Sequence, residues 1–317
     1  MAEQTQIPIS ELLDQVEALA PLPGVARRVI QITEDDRFSA YDLASVMATD
    51  AALVAKLLRL ANSAYYGYPR RISTVRDAVV LIGFRAVRST AIAAAIMDLY
   101  PGSDTGPFSV DLFWGHSVAC GLMAESIAQE TGGAKPEEAF TAGVLHDIGR
   151  LLLNQYQTER FGQTVWKALR QGTSLHEAEA QEFGYDHALL GARLAERWNF
   201  PEELCRAIAE HHDLGRGADR SGLSSVVARA NELCHWFGLW CGFDTVEGAR
   251  LQPSAALAEL SEHERLYEAV MRRVGGLEEL EERVKDFLKE ARGRESRWYG
   301  QQGSPDSDRP AEDEPAA

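Results

Sequence analysis

Imidazole and carboxylate side chains recur through the second half of this 317-residue chain in a pattern suited to binding metal. His116 follows Trp114-Gly115. Thirty residues later comes Gly143-Val-Leu-His146-Asp147-Ile-Gly149, then Asp186-His187, then Glu210-His211-His212-Asp213. Imidazole nitrogen and carboxylate oxygen are the ligands of divalent ions such as Zn²⁺, Mn²⁺ and Fe²⁺. An adjacent His-Asp pair at the end of an apolar helix places both groups at one ion, with the carboxylate able to bridge to a second. Two such ions activate water for attack on phosphorus. Plainer roles stay open for each residue alone: a backbone carbonyl satisfies His187 at a helix start, and His211 and His212 suit a helix C-terminus electrostatically. His176 sits in a polar helix start and reads as solvated. His235 and His263 are isolated and read as structural or surface residues.

The elements that position these groups are helical almost throughout. Apolar residues recur at i, i+3, i+4 and i+7 from Leu12, from Val25 and from Leu53, and no stretch alternates with period two. Asp50 precedes the run Ala51 to Ala61 as an N-cap, Ser174 with Glu177 reads as a capping box, and Pro136 and Pro201 stand where first-turn prolines belong. The expected fold is all-α, with about a dozen helices in two packed helical subdomains. The run Tyr100 to Pro107 holds two prolines and two glycines and breaks the pattern. The Ala-rich segment Thr90 to Ile96 before it reads as a buried connecting helix. Expected boundaries are 1–100 for an N-terminal helical part, 101–215 for a second part carrying the His-Asp pattern, 216–295 for a helical extension, and 296–317 for a disordered acidic tail.

Composition narrows the function. With 45% hydrophobic and 25% charged residues the chain can build a core, which excludes wholesale disorder. A net charge of −16 makes bulk nucleic-acid binding unfavourable over most of the surface. The first residues lack the basic start and apolar run of a secretory signal, and no apolar stretch is long enough to span a bilayer. Four scattered cysteines (Cys120, Cys205, Cys234, Cys241) read as reduced thiols, so the expected compartment is the cytoplasm.

Further motifs bring a family resemblance. Leu22-Pro-Gly-Val25, Met47-Ala-Thr-Asp-Ala-Ala-Leu53, Leu58-Arg-Leu-Ala-Asn-Ser-Ala64, Ile72-Ser-Thr-Val-Arg-Asp-Ala78 and Leu81-Ile-Gly83 occur in order, followed by Leu145-His-Asp-Ile-Gly-Arg150, Trp198-Asn-Phe-Pro201 and His211-His212. Together they resemble the HDOD family, the HD-related output domains of bacterial signalling proteins, over roughly residues 16 to 215. The resemblance implies a second subdomain similar to the HD phosphohydrolases and a signalling or scaffolding role without catalysis. It carries the superfamily's metal ligands onto His116, His146 and Asp147, and the extra histidines of the HD-GYP branch onto His187, His211 and His212. Catalytic relatives close the first metal site with an Asp on the next helix. Here Asn231 holds that place, and a neutral amide is a weaker ligand than a carboxylate. The HD-GYP substrate-loop motif is absent after His212.

Between Asp50 and Tyr100 seven cations (Lys56, Arg59, Arg70, Arg71, Arg76, Arg85, Arg88) face three carboxylates, beside Tyr65, Tyr66 and Tyr68. This is either a solvated face or a surface for an anionic partner, with Arg70, Arg71 and Arg76 as the candidate contacts. In the extension, Leu277, Leu280, Val284 and Leu288 form one helical face that packs on the core or on another chain. The expected function is a non-catalytic signalling module that binds a protein partner in trans or a nucleotide. The alternatives are a metal-dependent phosphohydrolase acting on a nucleotide or cyclic dinucleotide, and a vestigial pocket that senses a ligand. No cofactor is certain; a divalent Mn, Fe or Zn is the candidate.

Overall fold

Five short polar side chains start helices in the computed structural model, which describes residues 7–32, 38–63, 66–68, 71–100, 108–213, 222–239 and 260–293. Ser39, Asp50, Thr74, Ser109 and Asp186 each accept a hydrogen bond from the backbone N–H three residues on. Each thereby satisfies one of the donors a helix start leaves free. The Ser174–Glu177 capping box does not form: the Ser174 hydroxyl is buried and makes no hydrogen bond. Pro136 is a first-turn proline as expected, whereas Pro201 stands one residue earlier, as an N-cap.

Sixteen helices occupy the described residues, more than the dozen anticipated, because several long apolar runs are divided by tight turns. The first six are α1 (Ile9–Leu19), α2 (Gly24–Gln31), α3 (Ala40–Met47), α4 (Ala51–Ala61), α5 (Val75–Ile82) and α6 (Phe84–Leu99). Next come α7 (Val110–Thr131), α8 (Pro136–Leu145), α9 (Ile148–Tyr156), α10 (Thr158–Gln171), α11 (Leu175–Phe183), α12 (His187–Arg197) and α13 (Glu202–Ala209). Last are α14 (Leu223–Trp236), α15 (Leu260–Val274) and α16 (Leu277–Arg292). The chain is all-α, and no described helix is long and apolar enough to cross a membrane.

Two helices are buried on every side, as helices without a polar face must be. In α6 every residue from Val87 to Met97 is buried, which is the connecting helix expected from the Ala-rich run. It packs on α2, α4 and α5, and also on α8 and α16. In α7 burial extends from Val110 to Ala128 with two interruptions, at Leu112 and Glu125, and α8, α14, α15 and α16 surround it. Glycine sets how closely α7 and α8 approach: a Cβ on Gly143 would stand 2.7 Å from the Cα of Gly121. The apolar face of α16 is covered within the chain, with Leu280, Val284 and Leu288 fully buried. Residues 101–107 and the expected acidic tail lie outside the described residues.

Candidate metal centre

The His-Asp pair occupies the turn between two buried helices. His146 is the C-cap of α8, and Asp147 stands at the N-cap position of α9. Aspartate is a good N-cap, yet the Asp147 side chain caps nothing. Its carboxylate is turned inward, between two groups of histidines. Oδ2 lies 3.4 Å from Nε2 of His146 and 3.8 Å from Nε2 of His116 on α7. Oδ1 lies 3.1 Å from Nε2 of His187, the first residue of α12, and 3.4 Å from Nε2 of His211, just after α13. His212 joins the second group, with its Nε2 2.9 Å from that of His187. All six residues expected from the sequence therefore converge, as two groups of three that could hold a metal ion: His116, His146 and Asp147, and His187, His211 and His212.

Hydrogen bonding on the far side of each ring fixes what the near side offers. Nδ1 of His116 lies 2.6 Å from the Leu239 carbonyl, and Nδ1 of His146 and His211 lie 2.7 Å from the carbonyls of Gly143 and Ile208. A carbonyl only accepts, so Nδ1 carries a proton in each ring and Nε2 is the nitrogen left to face the centre. Nδ1 of His187 bonds instead to Oε2 of Glu179 at 2.5 Å. The Nε2 atoms of His116 and His146 are 3.3 Å apart, as are those of His187 and His211. Ligands about 2.1 Å from a shared ion stand about 3.0 Å apart in an octahedron and about 3.4 Å in a tetrahedron. These spacings match the edges of a coordination shell, and imidazole nitrogens held so close favour a proton or a cation between them. The donor set fits a divalent cation.

Electrostatics reinforce that reading. Burial holds His116 and His212 well below the ordinary imidazole value and lowers His211 to about 4, so these rings are neutral at pH 7. For His187 burial and Arg150 oppose the charge, but Glu179 and Asp147 outweigh them and raise it to about 9. Burial also opposes the Asp147 carboxylate, yet Arg150, His146 and His187 hold it well below the usual range.

Two features depart from an open dinuclear site. The Arg150 guanidinium bonds directly to Oδ2 of Asp147, on the side of His116 and His146. On α14, Asn231 is buried and its Oδ1 accepts no hydrogen bond. Most of the assembly is shut off: His116, His146, Asp147 and His187 are 0% exposed and His211 is 1% exposed, whereas His212 is half-buried.

The family model for the HDOD domain matches residues 19–214. The chain belongs to the HDOD family. Among solved structures, this HDOD protein is similar to an HDOD domain protein of unknown function from Geobacter sulfurreducens. The two are 27% identical, with a TM-score of 0.66, over 90% of this chain and 96% of that one. It is also similar to an inferred phosphohydrolase from Shewanella amazonensis SB2B, at 26% identity and a TM-score of 0.68, over 87% of this chain and 97% of that one. An uncharacterized protein of Treponema pallidum is 25% identical over 230 residues, which is 72% of this chain and 44% of the relative. The HDOD chain thus spans less than half the length of that relative.

Four residues at the centre were not among the expected ligands. His176, read as solvated, stacks on His212 with ring centroids 4.3 Å apart, and His235, read as isolated, lies 5.3 Å from His116 ring to ring. Arg150 and Glu179 were not singled out. Glu179 does leave a trace in the sequence, since it shares the buried stripe Leu175, Ala178, Phe183 of α11, where an apolar residue is the rule.

The basic zone is thinner than its sequence suggests. Lys56 pairs with Asp98, Arg59 with Glu290 at 3.1 Å, and Arg88 is buried. Arg71 and Arg76 are exposed, the latter with its guanidinium 5.5 Å over the Tyr41 ring, and Arg85 is exposed as well. Arg70 and Tyr65 lie outside the described residues. Tyr66 bonds to Thr90 and Tyr68 to the Leu81 carbonyl, so both hydroxyls serve the fold. Cys120, Cys205 and Cys234 are free and buried, and Cys241 lies outside the described residues.

Proposed function

We propose that this HDOD chain is a non-catalytic signalling module that acts by binding a partner, and that its histidine cluster carries a divalent cation as a structural centre. The burial of the cluster supports this reading most. A phosphate ester needs a path to the reacting atoms, and Asp147 with His116, His146, His187 and His211 is shut from solvent, leaving only half-buried His212 at the edge. His187, His211 and His212 with Oδ1 of Asp147 are the residues that would hold the ion, with Mn, Fe or Zn as candidates. A cation bound there supplies Lewis acidity and a charge that fixes several helices at once. Arg150 neutralises the other oxygen of Asp147, so the half-site of His116, His146 and Asn231 is the weaker one. Arg71 and Arg76, beside the exposed Tyr41, are the face we assign to an acidic protein partner in trans, and a nucleotide is the alternative ligand.

The position of Asp147 between two histidine groups favours a second reading, a phosphohydrolase acting on a nucleotide or cyclic dinucleotide. Metal analysis of the purified chain together with a phosphodiester assay separates the two. The binding reading predicts about one ion per chain, a melting temperature that falls on chelation, and no hydrolysis above metal-only controls. Turnover that Asp147→Ala abolishes would establish the hydrolase instead.

A further inference from the structure

A second site lies away from the histidines, where α2, α6, α8, α13 and α14 meet. A cavity of about 440 Å³ there is walled by Ile30, Ile92, Phe200, Leu204 and Leu223, and Arg88 of α6 lines it. Arg88 is only 7% exposed, makes no ion pair or hydrogen bond among the described residues, and its Nε is buried without an acceptor. Burial lowers its pKa despite the nearby carboxylate of Glu138. A guanidinium in such a place is costly to desolvate unless something answers its charge. The cavity also reaches the start of α13, where Pro201 is the N-cap and no side chain caps the free N–H groups.

We propose that this cavity binds a small organic monoanion, with its phosphodiester or carboxylate head on Arg88 and an apolar body against Ile92, Phe200 and Leu223. The planar guanidinium matches either oxyanion with two parallel donors. The rim narrows the class. Glu138, already paired with Lys135 at 2.9 Å, and the exposed Glu202 and Glu203 repel a ligand carrying several negative charges. The volume suits a molecule of nucleotide size or smaller. The ligand would touch both the N-terminal helices and α13, so its binding would bias how they pack. This site does not depend on the metal reading of the histidine cluster.

The test is thermal melting of the full chain with methyl phenyl phosphate, a singly charged phosphodiester, and, separately, benzoate, each at 10 mM and at constant ionic strength with sodium chloride. The wild type should melt a few degrees higher with at least one probe, and the better probe tells phosphate from carboxylate. Arg88→Met should melt higher than wild type without ligand, because an unpaired buried charge is gone, and should lose the response to both probes. Arg88→Lys, which keeps the charge but not the fork, should bind several-fold more weakly by calorimetry. Asp147→Asn should keep the response, which separates this cavity from the histidine cluster. The proposal is overturned by a wild type indifferent to both anions. It is equally overturned if Arg88→Met is destabilised yet still responds, or if the response is lost in Asp147→Asn and kept in Arg88→Met.

Discussion

Nδ1 of His187 and Oε2 of Glu179 lie 2.5 Å apart with both side chains fully buried, and the same oxygen accepts the backbone N–H of His187 at 2.9 Å. One carboxylate thus fixes the tautomer, the ring plane and the helix start of a residue whose other nitrogen faces Asp147. Outer partners of this kind hold metal-binding histidines in place. Glu179→Gln keeps an oxygen for the backbone N–H but removes the charge. We expect it to fold and to bind Mn²⁺ or Zn²⁺ about 10- to 100-fold more weakly, as read by competition with a chromophoric chelator. Unchanged affinity would place the ion elsewhere.

Arg150 answers the charge of Asp147 when no ion is present, and so competes with an ion for Oδ2. Arg150→Met should have opposite effects on the two states. Without metal the chain should lose about 3–5 kcal/mol, the usual cost of orphaning a buried carboxylate. With excess Mn²⁺ much of that loss should return, because the ion replaces the lost positive charge. Urea melts with EDTA and with Mn²⁺ check both arms. A loss that metal leaves untouched would make Arg150 a packing residue with no link to an ion.

The helical class, the buried α6 and the candidacy of His116, His146, Asp147, His187, His211 and His212 were legible because each rests on a local pattern or on the order of motifs. Their convergence was not, since spacing along the chain does not place separate helices in space. Period, small-residue runs and the order of motifs are all properties of neighbouring residues. His235 and His176 were missed for the complementary reason. Neither has a chemically suggestive neighbour in the chain, and each reaches the centre only because α14 packs on α7 and α11 lies beside α12. Arg150 was hidden in plain view, three residues after Asp147 and on its own helix start, since an arginine there reads equally well as surface. The Ser174–Glu177 box shows the converse error, a correct local motif whose hydroxyl is buried without a hydrogen bond.

Glycine at the α9–α12 crossing should be indispensable to the centre. A Cβ on Gly149 would fall 2.1 Å from the carbonyl oxygen of His187, and backbone cannot step aside as a side chain can. Gly149→Ala should therefore cost at least the roughly 1–3 kcal/mol of ordinary overpacking and weaken metal binding by pushing His187 from Asp147. Gly162, inside α10, is the control, because a Cβ there meets nothing within 4 Å. Gly162→Ala should gain about 0.5–1 kcal/mol. Urea unfolding of the two variants beside wild type reads both signs, and two losses of equal size would refute the crossing as the cause.

Glu125 of α7 gives the fold a pH dependence separate from the histidines. Burial raises its pKa from 4.5 to about 7, against the pull of Arg283. The folded chain therefore binds this proton more tightly than the unfolded chain does. Stability from it is complete below about pH 4.5 and is lost as pH rises to about 7. Glu125→Gln stays neutral at every pH and should escape that loss. Its urea midpoint should match wild type near pH 4.5, pull ahead between 5 and 7, and hold a constant lead above about pH 7.5. Only the difference between the two chains is informative, since other groups titrate identically in both. A lead already present at pH 4.5 would point to better packing of the amide, whereas no lead at pH 8 would mean that Arg283 fully compensates the carboxylate.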